Sequence, residues 1–506
     1  MKNLLILLFL GWSASLFAQK NIPYTLEDKK IDTYLMNRQP AKLSIQVQNL
    51  PAEVKKVKIK YVLAQLGIDS QSEKYGETDS NGKLAITLNQ NLPYQQIWLS
   101  VGEYAYAGIY VNEGLTVTVD VSKMKNGFIY FSGAGLEFSG KDGAFNTVMN
   151  DAVVFKKEER EKLYNSFSNL RNIKEKVSPA QFVFKIDSIS KEIMKFTELF
   201  TVTHPDYKWA IEDEVLSEIY QQLCLFYSTD GMPAKLYTAV SNHKPHFVSN
   251  GSVAYYQWLH YYTKNTNRGS FANHLTLFDK LYGQQKGDIL SLFFLKEDRD
   301  QFSELYPMII NNLQTRWTKR IATEELAIAS SNQKKIDGLF AAGQKIEDVN
   351  IGKPMIKLPF KAELYELDST TNIESFLQSL KSKNANKALM IDFWATWCAP
   401  CLSDLPFSKC LHKDNEDLPI EYVYICTTNA SNVNLWKNKV AELELAGTHI
   451  FADEKVVAKL KTLVSATSGF PSYVVIDAKG KVNAKVVSRM SLLNRESLKA
   501  AAGINE

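Results

Sequence analysis

The stretch that most restricts the fold is Ala388–Cys401, reading ALMIDFWATWCAPC. Ala388–Trp394 is apolar except for Asp392, and a short unbroken apolar run of this kind reads as a buried strand. A helix starts at or beside Cys398 and continues through Leu402–Leu411. A strand leading straight into a helix points to a layered α/β domain. Unpaired backbone N–H groups at the helix start favour a thiolate on Cys398. CxxC cysteines in such places have thiol pKa values of roughly 3.5–7.5 instead of about 8.5. The thiolate is the nucleophile, so Cys398 can attack a disulfide, and Cys401 is near enough to resolve the mixed disulfide. Pro400 stiffens the loop between them. Asp392 interrupts an apolar strand, where a carboxyl is costly unless useful or paired. Desolvation raises its pKa and suits it to take a proton when Cys401 leaves or attacks. The competing reading is a carboxylate at a strand edge with water access.

The rest of this region alternates in the same way. Ile420–Thr427 is a second apolar strand, and Asn432–Leu445 is an amphipathic helix with Gly447 as its stop. His449–Ala452 is a short strand, followed by a lysine-rich helix through Val464. Ser472–Asp477 and Val482–Val487 are strands joined by Ala478-Lys479-Gly480, and a last helix fills about 491–501. Lys345–Lys361, with Pro354 and Pro359, leads into this domain, expected over 346–506 with at least one parallel crossover.

Upstream, the period changes twice. Residues 20–140 read as an all-β module. Leu43, Ile45 and Val47 alternate with polar neighbours, as do Val57, Ile59 and Tyr61, then Leu84, Ile86 and Leu88, then Leu115, Val117, Val119 and Val121. Turn signals separate these runs at Asp79–Gly82 and Asn112–Gly114. Residues 141–345 read as α-helical. Ser178-Pro179-Ala180-Gln181 is a capping box with proline at the first helical position, followed by Ile186, Ile189, Ile193, Phe196 and Phe200. Aromatic residues recur through 207–317, either as inter-helix packing or as an aromatic ligand groove. The 506-residue chain is thus read as multidomain.

Residues 1–18 (MKNLLILLFLGWSASLFA) have the charged, apolar and small-residue parts of a secretory signal peptide. The alternative is an uncleaved anchor or a buried first helix. No other uncharged apolar run of 18 residues occurs. The expected location is the periplasm or cell envelope. A net charge of +4 makes nucleic acid a poor partner, and five cysteines are too few for a disulfide-stapled scaffold.

Cys398, Cys401, Cys410 and His412 could suggest zinc, but nine helical residues turn Cys410 to the side opposite Cys401 and about 13 Å along the axis. No metal site is expected. Cys224, Cys410 and Cys426 read as buried structural thiols. Gly135–Lys141 matches a P-loop up to the lysine, but Asp142 replaces the serine or threonine, so it reads as a turn between β elements. Glu77–Gly82 starts like a calcium loop, but Leu88 stands where a bidentate glutamate is needed, leaving a hairpin turn. No G-x-S-x-G elbow appears. Thr396 lies two residues before Cys398 and not three, which argues against a peroxiredoxin.

The FWATWCAPC segment, with Asp392 before it and Pro406 after, resembles thioredoxin. Gly469-Phe470-Pro471-Ser472 resembles that family's cis-proline loop. The resemblance implies a cis Phe470–Pro471 bond facing the cysteines, with the Phe470 backbone pairing with an extended substrate, and Trp397, Phe470 and Pro471 shaping the groove. Ile351-Gly352-Lys353-Pro354 and Leu358-Pro359-Phe360 are similar to the opening of exported TlpA/ResA-like thiol–disulfide oxidoreductases. Lys74–Thr87 and Phe138–Asn146 resemble, more loosely, a β module of Bacteroidetes-type exported multidomain proteins. The implied activity is protein disulfide reduction with protein thiols and disulfides as partners, a membrane thiol as candidate electron donor, and no bound cofactor. A disulfide oxidase or isomerase, or a non-catalytic envelope module built on a thioredoxin scaffold, are the alternatives. The Ala399-Pro400 dipeptide between the cysteines leaves substrate preference open, as is the partner of residues 20–345.

Overall fold

The computed structural model describes residues 24–67, 73–88, 92–125, 127–297, 301–347, 350–466, 469–484 and 487–504. The segment read as an export signal, 1–18, lies outside the described residues. Among these residues, no helix is long and apolar enough to cross a membrane. The chain divides into two compact units at Leu326/Ala327.

The first unit opens with a short helix, Ile31–Met36, inside the segment read as all-β, and continues into a β-sandwich. One sheet has the order β4-β1-β7-β9, from β1 (Ala41–Gln48), β4 (Lys83–Leu88), β7 (Gly114–Asp120) and β9 (Leu136–Ser139). The other has the order β3-β2-β5-β6-β8, from β2 (Lys58–Leu63), β3 (Glu73–Glu77), β5 (Gln95–Val101), β6 (Ala105–Val111) and β8 (Ile129–Tyr130). Alternate residues of both sheets, including Leu43, Ile45, Ile59, Ile97, Leu99, Ile109, Leu115 and Val117, form the core between them. Strands β5 and β6 escape a period-two reading because both of their faces are covered along part of their length.

Asp79–Gly82 is not a hairpin turn, because β3 and β4 belong to different sheets. Asp79 Oδ1 instead accepts the amides of Asn81 and Lys83 at 2.9 Å, and Gly82 takes φ +73°. Gly135–Asp142 is also not a turn between β elements. It contains β9 and runs into the helix Gly143–Val154. The Asp142 carboxylate itself takes the amides of Asn112, Glu113 and Gly114 at 2.8–2.9 Å, filling the place an anion would occupy.

Helices follow from Gly143 onward. Pro179–Thr201 begins with the expected capping box of Ser178 and Gln181. Tyr255, Tyr256 and Phe278 are fully buried, so these aromatic residues of 207–317 serve inter-helix packing. Lys286 is buried beside Glu27 at 3.2 Å and donates to the carbonyls of Ser241 and His243 at 2.6 Å. That pair pins the segment before β1 to the helices, at a desolvation cost met by three further oxygens, those two carbonyls and the Tyr255 hydroxyl.

The second unit is built on a seven-stranded sheet of order β10-β11-β14-β13-β12-β15-β16. Its strands are β10 (Lys353–Leu358), β11 (Ala362–Leu367), β12 (Ala388–Trp394), β13 (Ile420–Thr427), β14 (Gly447–Ala452), β15 (Ser472–Ile476) and β16 (Val482–Asn483). Strands β11, β14, β13 and β12 are parallel, while β10, β15 and β16 add antiparallel edges. Helices Ile373–Lys383 and Glu454–Leu463 cover one face, packing on Leu389, Ile391, Val423 and Ile450. Helices Ala399–Asp414, Val433–Leu443 and Arg495–Ala502 cover the other, packing on Met390, Trp394, Tyr422 and Tyr424. The helix Val433–Leu443 stops at Glu444, in the left-handed region at φ +49°, and not at Gly447, which starts β14. Strand β16 is shorter than expected, and the last helix starts at Arg495, behind a capping box of Asn494 and Ser497.

Every residue of β12 is buried, so the sheet's centre tolerates no lost volume. Ile391→Ala should destabilise the second unit by about 2–5 kcal/mol. Denaturant unfolding followed by a probe in that unit checks this.

Candidate functional site

The site is assembled where the parallel strands of the second unit end. β12 delivers its chain into Ala395-Thr396-Trp397, and the helix Ala399–Asp414 begins directly after. Cys398 is that helix's N-cap, with β-region backbone, and Pro400 occupies the first turn where its missing N–H costs nothing. The Cys401 amide donates to Cys398 Sγ at 3.2 Å. The two cysteines are joined in a disulfide with an S–S length of 2.06 Å. Cys398 is 4% exposed and Cys401 2%. Once reduced, a thiolate on Cys398 would face the same amide and the positive end of the helix, both of which favour it.

Asp392 shares a sheet face with Met390 and Trp394, the face covered by the cysteine-bearing helix. It is 3% exposed, so it is no strand-edge carboxylate with water access. Among the described residues, its Oδ1 has no hydrogen-bond partner. Burial, and then the nearby Asp404 carboxylate, push its pKa well above the ordinary aspartate range.

The Phe470–Pro471 peptide bond is cis. Phe470 meets Trp397 edge to face at 5.9 Å, and the Trp397 indole N–H donates to the Asn429 carbonyl at 2.8 Å. Trp397 is nevertheless 52% exposed, an unusual place for the largest side chain, which leaves an aromatic surface at the mouth of the site.

Two residues at this site carry no signal recognised in the sequence. Asp404 lies one turn after Cys401 on the buried stripe of the helix. Its Oδ2 accepts the Tyr473 hydroxyl at 2.5 Å and the Met490 amide at 2.7 Å, and its Oδ1 accepts the Ser491 amide at 3.1 Å. The available signal was a carboxylate three residues past Cys401, in phase with Leu405 and Ser408. Lys461 is buried on the helix Glu454–Leu463. Its ammonium donates to the Gly469 carbonyl at 2.6 Å and lies over the Phe470 ring at 4.2 Å, holding the loop that carries Pro471. Burial lowers its pKa to about 8.

Of the other cysteines, Cys224 and Cys426 are buried, and burial raises the Cys426 thiol to about 12. Cys410 is exposed and not buried as expected. Cys401, Leu405, Ser408 and Leu411 form the buried stripe of their helix, and residue 410 falls on its solvent side. Among the described residues, no group of three or more His, Cys, Asp or Glu is placed to hold a metal ion.

Strand order, cis-proline loop and a disulfide at a helix N-terminus together define a thioredoxin-like domain. Residues 342–500 match the family model described as Redoxin. The second unit therefore carries a thioredoxin-like Redoxin domain. No curated protein matches the chain. Similar solved structures include the thioredoxin domain of a thiol-disulfide oxidoreductase from Bacteroides vulgatus. It is 18% identical, covers 24% of this chain and 84% of that one, and has a TM-score of 0.21. A thioredoxin-family thiol:disulfide interchange protein from Chlorobium tepidum TLS is 23% identical over 24% of this chain and 85% of that one, with a TM-score of 0.21. A secreted disulfide oxidoreductase from Mycobacterium tuberculosis is 17% identical over 24% and 86%, with a TM-score of 0.20.

Asp392 keeps its proton in the folded protein at pH values where the unfolded chain, with aspartate near about 3.9, has lost it. The folded state then binds more protons, so stability falls as pH rises above about 4, until the native pKa is passed. Asp392→Asn removes that loss. The oxidised variant should be more stable than wild type at neutral pH, with the difference shrinking towards about pH 3. Urea unfolding across this range checks it, and a pH-independent difference would contradict it.

Proposed function

We propose that this chain is an exported thiol–disulfide oxidoreductase that reduces protein disulfides in the cell envelope, in the manner of TlpA/ResA-like proteins. The observation that carries the reading is the Cys398–Cys401 disulfide at a helix start, above a buried Asp392. In the reduced protein the Cys398 thiolate attacks one sulfur of a substrate disulfide. A mixed disulfide forms and one substrate thiolate leaves. Ionised Asp392 takes the proton of Cys401, and the Cys401 thiolate then attacks Cys398 Sγ. The second substrate thiolate leaves, so the substrate gains two electrons and Cys398–Cys401 is oxidised. The same carboxyl returns a proton to Cys401 when a thiol donor, proposed to be membrane-borne, reduces the pair again.

Trp397, Phe470 and Pro471 are the proposed substrate groove, with the Phe470 backbone pairing with an extended segment of the partner. Lys461 keeps that loop in place. The proposed division is a signal peptide over 1–18, a β module over 20–140, a helical region over 141–345 and the catalytic domain over 346–506. Export rests on the character of residues 1–18.

Trapping tests the reading. Cys401→Ser leaves Cys398 able to attack but unable to be released by its partner. Expressed in an exporting host, that variant should accumulate covalent adducts that dithiothreitol removes and that Cys398→Ser with Cys401→Ser abolishes. Absence of adducts, with the variant folded, would reject exchange at this site.

A further inference from the structure

The first unit holds a second built site, independent of the cysteines. The five-stranded sheet turns Gln96, Trp98 and Ser100 of β5, Tyr106 and Tyr110 of β6, and Tyr130 of β8 away from the sandwich core. Helices cover one end of this face, where Tyr110 packs with Phe145, Met149, Ile211 and Phe247. At the other end three rings run in parallel across the strands. Trp98 and Tyr106 have centroids 5.9 Å apart and planes 9° apart, and Tyr106 and Tyr130 follow at 5.7 Å and 13°.

The row is held in place from behind. Phe131 stands edge-on to all three rings, at 6.0, 5.8 and 4.6 Å, with interplanar angles between 82° and 89°. Its φ is +66°, a left-handed conformation that is rare for so bulky a residue. Gly108 gives Trp98 room, because a Cβ there would meet the indole at 3.1 Å. Trp98 and Tyr106 are half-buried and Tyr130 is 46% exposed, with the Lys157 ammonium 4.5 Å from the centre of the Tyr130 ring.

Trp98 also lines a cavity of about 120 Å³ where the row meets the helices. A single water needs only about 10–15 Å³ on this measure, so the cavity admits part of a ring-sized ligand. Its head is polar, with Gln96, Arg160, Glu214 and Glu218. Glu214 accepts the Tyr110 hydroxyl at 2.9 Å and the Ser249 hydroxyl at 2.8 Å. Burial raises it to about 8, so it is largely uncharged at neutral pH. Burial raises the Glu218 carboxyl above the ordinary glutamate range, against the Tyr164 hydroxyl and the Arg160 charge, which lower it. Side-chain donors and acceptors from Gln96, Arg160, Glu214 and Glu218 converge on one cavity, and burial disfavours charge on both carboxyls, which favours a neutral ligand rich in hydroxyl groups.

We infer that this cleft binds a short neutral oligosaccharide, with sugar faces on Trp98, Tyr106 and Tyr130 and the hydroxyls of a terminal ring in the Arg160–Glu218 cavity. Flat C–H faces suit aromatic rings, and hydroxyl edges suit a polar head that offers both donors and acceptors. A peptide would be expected at a sheet edge, where backbone groups are free, and these rings lie on a sheet face.

The test is titration calorimetry of the full-length protein with cellotetraose, xylotetraose, maltotetraose and N-acetylchitotetraose. At least one should bind with a Kd of about 1 mM or tighter. Trp98→Ala and Glu218→Gln should each weaken it by roughly tenfold. Tyr130→Ala, which removes an exposed ring and leaves the core intact, should weaken it as well. No binding by any of the four would overturn the proposal. So would an affinity unchanged in both Trp98→Ala and Tyr130→Ala, or a proline-rich peptide binding at these rings in their place.

Discussion

The chemistry proposed for the second unit depends on holding one carboxyl in a strand whose every residue is buried. Asp392 lies in β12, where every residue is buried, beneath the helix that carries the cysteines. Nothing in packing calls for a carboxyl there, and desolvation opposes it. The charge cost is confined to one proton equilibrium: burial and the neighbouring Asp404 hold Asp392 towards its neutral form. The neutral carboxyl can give a proton to Cys401, and its minor ionised form is the base that takes one back, without a lasting charge in the core. Asp404 itself is placed differently, with a tyrosine hydroxyl and two backbone amides satisfying it.

Sheet order explains how distant segments meet at this point. Strand β12 pairs with β13 on one side and with β15 on the other. Asp392 is thereby set opposite Tyr473, which reaches Asp404 from the strand that follows Pro471. Residues 392, 404 and 473 thus form one network drawn from a strand, a helix and a returning strand. Lys461 ties the loop before β15 from the opposite face of the sheet, through Gly469 and Phe470.

Much of this was legible in the sequence because the signals are local. The apolar run with one aspartate, the proline after Cys398 and the capping box at Ser178 each state their geometry within a few residues. The misreadings arise where the partner is remote. Asp79–Gly82 has the composition of a hairpin turn, yet the strands it joins pair elsewhere. The uniform burial of much of β5 and β6 hides their period. Asp404 and Lys461 take their meaning from residues 69 and 8 positions away. Cys410 is a different case: the helical arithmetic that separates it from Cys401 also places it on the solvent side, and helix phase overrides the general tendency of cysteine to be buried.

The central claim is that Cys398 and Cys401 form an exchange couple working in the reducing direction. The most direct measurement is the reduction potential of that pair, by equilibration of the full-length protein in glutathione or dithiothreitol buffers. A reductase account predicts a two-electron equilibrium near thioredoxin's value of about −270 mV. A value nearer about −120 mV would contradict the reducing direction and mark a disulfide donor, and a pair that never equilibrates would contradict exchange itself.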